Sequence, residues 1–212
     1  MRRIVSVLCF LLIGVSACSS VQTGDTKKND SLPEISCVAV LPVVIPIASS
    51  DSLTAARKKN LEEGAVFLDS VMVSELGDRP EFKILNENRL NAILEDPWGG
   101  RAQQVAAISQ ATGCGVVLET RLSKYRERVG STMSVETPAA AAFSMELIDV
   151  AKGVVLWTAS FDESQKALFE DIFSFDKAKK RGFKWLSVQE LSGEGLKSRL
   201  HSFPYFQKVD GE

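Results

Sequence analysis

The sequence predicts an α/β fold: a mixed β-sheet, built in the order β-α-β-α-α-β and then a β-hairpin, with helices packed on it and a partly helical C-terminal tail. Three observations predict it. "SCVAVLPVVI", residues 36–45, is nearly continuous in Val, Ile and Leu, the composition of a strand buried on both faces. The stretch from Asp51 to Pro80 repeats its apolar residues at spacings of three and four, the period of a helix with one buried face. Residues 140–149 and 153–162 alternate apolar and polar and are joined by "VAKG", a connection of hairpin length.

Residues 1–17 are set apart from the fold, because they have the character of a signal peptide. Arg2 and Arg3 precede the apolar run "IVSVLCFLLIGV", which is too short for the roughly 20 residues of a spanning helix. The run closes on "VSAC", residues 15–18, with small residues at Ser16 and Ala17. This resembles the lipobox of bacterial lipoproteins, with Val15 in the aliphatic place. The resemblance implies that Cys18 is acylated and becomes the first residue of the mature chain. Ser19 and Ser20 follow where an Asp would mean retention in the inner membrane, and so resemble the sorting signal for the outer membrane. A plain secretory signal with an incidental cysteine is the alternative. Residues 18–34 are polar and turn-rich, a tether from lipid to domain.

The first strand follows, and Pro42 and Pro46 end its ladder because neither can donate a hydrogen bond. In the long helix Leu61, Ala65, Leu68, Met72 and Leu76 trace the buried face, with Asp51 or Ser52 as cap. Gly64 in its middle costs about 1 kcal/mol against Ala and implies a bend or a close approach. Gly77 and Pro80 stop the helix. "EFKIL", 81–85, is a short strand, and Asn86 caps a helix carrying Leu90, Ile93 and Leu94. "RAQQVAAISQAT" is a further helix, with Gly113 where a C-cap glycine belongs. "CGVVLETRL", 114–122, is the third strand. In the hairpin Phe143, Met145 and Leu147 share one face of the first strand, and Val155, Trp157, Ala159 and Phe161 one face of the second. The domain therefore spans 35–165, and 166–212 is a helical extension. In that tail "QKALFEDIF" reads as a short amphipathic helix, and Ser187 and Glu190 stand in capping-box spacing ahead of a last one.

The charge balance argues against nucleic acid: 25 Lys+Arg face 27 Asp+Glu, a net −2, and losing Arg2 and Arg3 leaves 23 against 27, or −4. Of four cysteines, Cys9 leaves with the signal and Cys18 takes lipid. Cys37 and Cys114 each head a predicted strand. They can bridge if those strands are parallel neighbours, in a compartment where disulfides persist. Two buried free thiols are the other reading.

A catalytic site is hard to build. His201 is the one histidine, and no serine sits in a G-x-S-x-G elbow. "TGCG" has no base beside Cys114. Neither "GEG" nor "WGG" has the context of a phosphate loop. No spacing of His and Cys suits a metal, so neither metal nor cofactor is expected, and the chain is read as a non-enzyme. The stretch that invites a functional reading is the polar connection 123–138, because structureless loops of that length often carry function. It holds Lys124, Tyr125, Arg126 and Arg128, of which Tyr and Arg are types enriched where proteins bind each other. A solvated hairpin arm is its bland alternative. If the stretch is a loop, replacing Tyr125, Arg126 and Arg128 by Ala leaves thermal stability nearly intact. Trp98 in "DPWGG" is either an exposed anchor or folded back on the core. The run Lys177, Lys179, Lys180, Arg181 is either a solvated face or a contact for lipid headgroups.

Taken together these motifs resemble a group of bacterial envelope proteins that includes the N-terminal domain of TolB, the curli secretion subunit CsgG, the penicillin-binding-protein activator LpoB and the exopolysaccharide-export lipoprotein PelC. The opening "VAVLPVVIP" is similar to the group's "AVLPF"-like strand, with Val43 where Phe is usual. "FKILNENRLNAIL" follows in the expected place, and "TGCGVVLETRL" matches with Gly115 in place of Asp. The hairpin matches at Leu147, Asp149, Gly153 and Trp157, with Lys152 in place of Thr. The likeness covers about 36–165. It implies a lipid-tethered α/β domain on the periplasmic face of the outer membrane that binds an envelope protein or assembles with itself into a ring. It implies no chemistry, no nucleic acid and no small-molecule substrate. Export, with exopolysaccharide among the candidate cargoes, is the first pathway implied. Activation of a peptidoglycan synthase is the second.

Overall fold

The structure is a computed structural model and describes residues 35–46, 54–94, 99–131, 135–165 and 185–205. The expected cap residues Asp51 and Ser52, Trp98, the basic run 177–181, all of "QKALFEDIF" after Gln165, and Cys18 with its tether lie outside the described residues.

Alternation along a single short strand sets up the two layers. In β1 (Val38–Val40), Val38 and Val40 enter one apolar cluster and Ala39, with Cys37 before it, enters another on the opposite face. A strand covered on both sides has no polar face, which is why its sequence shows none. Pro42 breaks the regular ladder, yet the chain rejoins the sheet at Val44, whose N–H donates to Thr120 and whose carbonyl accepts from Leu122. Helix α1 (Ala55–Leu76) then packs Leu61, Ala65, Leu68, Met72 and Leu76 into the first cluster, with Thr54 rather than Asp51 or Ser52 at its N-cap. Strand β2 (Phe82–Ile84) pairs parallel with β1 on its outer side. Asn86 caps α2 (Glu87–Ile93), accepting from the Arg89 N–H at 2.8 Å. Helix α3 (Arg101–Thr112) ends at Gly113, whose φ of +72° is the left-handed geometry expected there.

Strand β3 (Val116–Arg126) runs parallel to β1 and is longer than its sequence suggests. After β4 (Val129–Gly130) and β5 (Val135–Thr137), which pair as a two-stranded sheet, β6 (Ala140–Asp149) returns antiparallel to β3, and β7 (Val154–Ser164) pairs with β6. The main sheet therefore has the order β2-β1-β3-β6-β7, parallel on one side and antiparallel on the other. The β6–β7 turn explains its motif: Asp149, buried at 6% exposure, accepts from the Lys152 N–H, and Gly153 takes a φ of +65°.

One register shift corrects a sequence expectation. Leu147 pairs with Trp157 but Ile148 pairs with Val155, so Leu156 is an extra residue. This bulge takes Val155 off the face it was expected to share with Trp157 and leaves it exposed.

Helix α4 (Val188–His201) begins with the capping box read from Ser187 and Glu190. It packs beside α1 on the first cluster, and Leu191, Leu196, Leu200 and Phe203 are fully buried there. This described part of the tail is thus core, although the boundary at residue 165 placed it outside the domain. Its glycines have a physical reason. A Cβ on Gly195 would stand 2.7 Å from the ring of Phe161, and one on Gly64 of α1 would stand 2.6 Å from the ring of Tyr125. Gly195→Ala is expected to lower the unfolding free energy by up to about 2 kcal/mol, since the overpacking cost of about 1–3 kcal/mol outweighs the roughly 1 kcal/mol gained in helix propensity when backbone and ring are as close as here. Urea denaturation measures it, and Phe161→Leu added to Gly195→Ala should restore part of the loss.

Candidate partner-binding surface

The segment read as a polar connection is largely strand. Up to Leu122 the pleat of β3 sends Leu118, Thr120 and Leu122 under α1 and leaves Glu119 and Arg121 on the other face. A bulge between Leu122 and Lys124 resets the alternation. Beyond it Tyr125, opposite Ala141, packs against the first cluster, while Lys124 and Arg126, opposite Ala142 and Ala140, take the far face of the sheet.

The four residues singled out by sequence therefore separate. Tyr125 is a packing residue. It sits over Gly64, and its hydroxyl bonds to that of Ser192 on α4. Burial pushes its phenol up to about 12, with the charges of Glu127 and Glu63 adding and the Ser192 bond opposing. Arg128 is a tie: its Nη1 donates to the Trp185 carbonyl at 2.5 Å. Its neighbour Glu127 is one the sequence did not flag. Glu127 accepts from the Arg128 N–H and, through its other oxygen, from the Val188 N–H at the start of α4. A carboxylate there satisfies an orphan donor and complements the helix dipole.

Lys124 and Arg126 remain on the sheet face that α1 and α4 do not cover. Lys124 pairs with Asp162 at 2.7 Å, and Arg126 donates to the Pro138 carbonyl at 3.2 Å. Further along the same face Arg121 grips both oxygens of Glu119 at 3.0 Å. Arg101, the first residue of α3, bonds to both Glu119 and Glu146 and so fastens the helix to two strands. Neither Arg101 nor the two glutamates appears among the sequence candidates, though the alternation of β3 and β6 places both glutamates on one face. The result is a polar surface of small hydroxyl side chains, Ser144, Thr158 and Ser160, crossed by fixed ion pairs.

Cys37 and Cys114 are joined, with their Cα atoms 5.0 Å apart. The parallel pairing of β1 with β3 sets their heads side by side, and both sulfurs lie in the second cluster, away from solvent. Among the described residues no group of three or more His, Cys, Asp or Glu could hold a metal ion, and no described helix is long and apolar enough to cross a membrane.

Tyr125 gives the site a pH signature. The unfolded chain ionises it near 10 and the folded protein near 12, so this contribution to stability is whole below about pH 10 and is lost as pH rises through about 12. Tyr125→Phe should flatten the fall in urea midpoint between pH 10 and 11.5, and an unchanged slope would contradict the burial of the ring.

These elements define a mixed-sheet α/β domain with helices on both faces and an antiparallel side whose polar face no described helix covers. Solved structures of similar arrangement include the PelC dodecamer from Paraburkholderia phytofirmans, at 14% identity over 78% of this chain and 84% of that one, with a TM-score of 0.43. The C-terminal domain of LpoB from Escherichia coli is similar at 18% identity over 62% of this chain and 84% of that one, with a TM-score of 0.38. Protein XCC0632 from Xanthomonas campestris is similar at 10% identity over 79% and 86%, with a TM-score of 0.36. PelC and LpoB are among the proteins the sequence itself resembles. No family model and no curated protein matches the chain.

Proposed function

We propose that this protein is an envelope lipoprotein, held by acyl chains on Cys18 at the periplasmic face of the outer membrane, that serves export as a non-enzymatic assembly or accessory subunit. The observation that carries the proposal is "VSAC" at 15–18, ending an apolar run too short to span a bilayer and followed by Ser19, Ser20 and a polar tether. The Cys37–Cys114 bond supports the same compartment, since such bonds persist outside the reducing cytosol. The domain acts by contact, through the open face carrying Lys124 and Arg126, on a second copy of itself or on an envelope protein.

Mass spectrometry of the mature N-terminus tests the anchor: a diacyl or triacyl Cys18 is expected, and an unmodified one overturns it. Size-exclusion chromatography with light scattering tests the assembly. A large homo-oligomer fits the subunit, and a monomer favours the synthase activator. Lys124→Ala with Arg126→Ala is the variant to use, in place of any that removes Tyr125 or Arg128. Exposed ion pairs contribute at most about 1 kcal/mol, so the melting temperature should hardly move while assembly or partner capture falls.

A further inference from the structure

The disulfide closes a ring in the chain, and the ring lies where tension would enter. The tether reaches the domain at Ile35 and Cys37, next to β1, a strand of three residues. The ladder there is short: only Val38, Ala39 and Val40 pair with β2 and with β3, flanked by bonds from Val38 to Glu81, Leu41 to Leu118 and Leu85 to Val40. A pull on the tether along β1 would shear those few bonds. Cys114, 77 positions later, stands at the head of β3, whose register with β6 runs from Val116 to Arg126. All of β1, α1, β2, α2 and α3 lies between the two cysteines. Lys124 and Arg126 lie beyond the second.

We infer that the Cys37–Cys114 bond transmits force from the membrane tether directly into β3 and removes residues 38–113 from the path of tension between membrane and partner. The reasoning is one of connectivity. Two routes run from residue 37 to residue 114, a single covalent bond and a folded loop of chain, and the shorter taut route takes the load. The hydrogen bonds between β1 and β2 and the packing of three helices are then not strained when the body is pulled from its anchor. What gives first must be the long β3–β6 ladder or the cover of α4. The inference rests on the reading of an anchored body for its biological sense, but the bond's mechanical role stands apart from lipid.

The test pulls single molecules of the full chain, oxidised, from a handle fixed at residue 18 and another at the C-terminus. A protease site inserted between Gly77 and Asp78, in the exposed turn that follows α1, allows the loop to be cut in the folded molecule. Cut chains are expected to stay connected and to show the same first rupture force as uncut chains. Uncut chains, once unfolded, should stop short of full length by about 250–280 Å, the reach of a loop of 77 residues, until a reductant releases it. Handles that part on cutting, or a first rupture force that drops, would overturn the inference. Because the handle replaces the acyl chains, failure here is independent of the state of Cys18, which mass spectrometry decides.

Discussion

Phe203→Ala is expected to lower the unfolding free energy by about 3–5 kcal/mol, the range for truncating a fully buried Phe. Its exposure is 0%, and its ring meets three others. Trp157 of β7 stands edge-on at 5.0 Å, Phe82 of β2 lies at 6.0 Å, and Tyr205 at 5.9 Å. Phe203 thus reaches from one edge strand of the sheet to the other, since β2 and β7 are the outermost. Removing the ring leaves a cavity that the strands, fixed by their ladders, cannot collapse to fill. Against a total stability of about 5–15 kcal/mol for a domain, the variant should be marginal at 37 °C. Urea denaturation of the purified chain measures the loss. A midpoint within experimental error of the parent's would mean that the end of the chain is an appendage.

The second large effect concerns the ring of chain closed by Cys37 and Cys114. Cys37→Ala with Cys114→Ala is expected to cost about 4 kcal/mol, because a loop of 77 residues in the unfolded chain regains its freedom. The single variants should cost as much and add a free thiol, so the double variant is the cleaner measurement. Reductant gives an internal control. It should shift the urea midpoint of the parent toward that of the double variant and leave the double variant where it is. Movement of both by the same amount would assign the effect to something other than this bond.

The two predictions bear on different halves of the molecule. The disulfide staples the parallel side, where β1 offers few hydrogen bonds of its own. The aromatic cluster around Phe203 closes the sheet from below, using the last described residues of the chain. A domain ended at residue 165 would lack Leu191, Leu196, Leu200 and Phe203 and would expose Phe161, Trp157 and the underside of β6 to water. At about 1.5–3 kcal/mol for each large apolar side chain buried, that loss is of the same order as the whole stability of a domain, about 5–15 kcal/mol.

The amino-acid sequence by itself determined the order of the helices and of the main-sheet strands, the caps at Asn86 and Ser187, the left-handed turn at Gly113, the buried face of α1 and the hairpin with its Asp149 and Gly153. These are local features, set within a few residues by hydrogen bonding and by the period of the apolar pattern. Only the tertiary structure decided which way Tyr125 faces, since a one-residue bulge inverts every later side chain and leaves no mark in composition. It alone joined Cys37 to Cys114, for that depended on β1 and β3 being neighbours across 77 residues. It alone made Gly64 and Gly195 necessary, because the rings that require them come from strands far away along the chain. Contacts between distant segments are set by how the layers stack, and no local pattern records that.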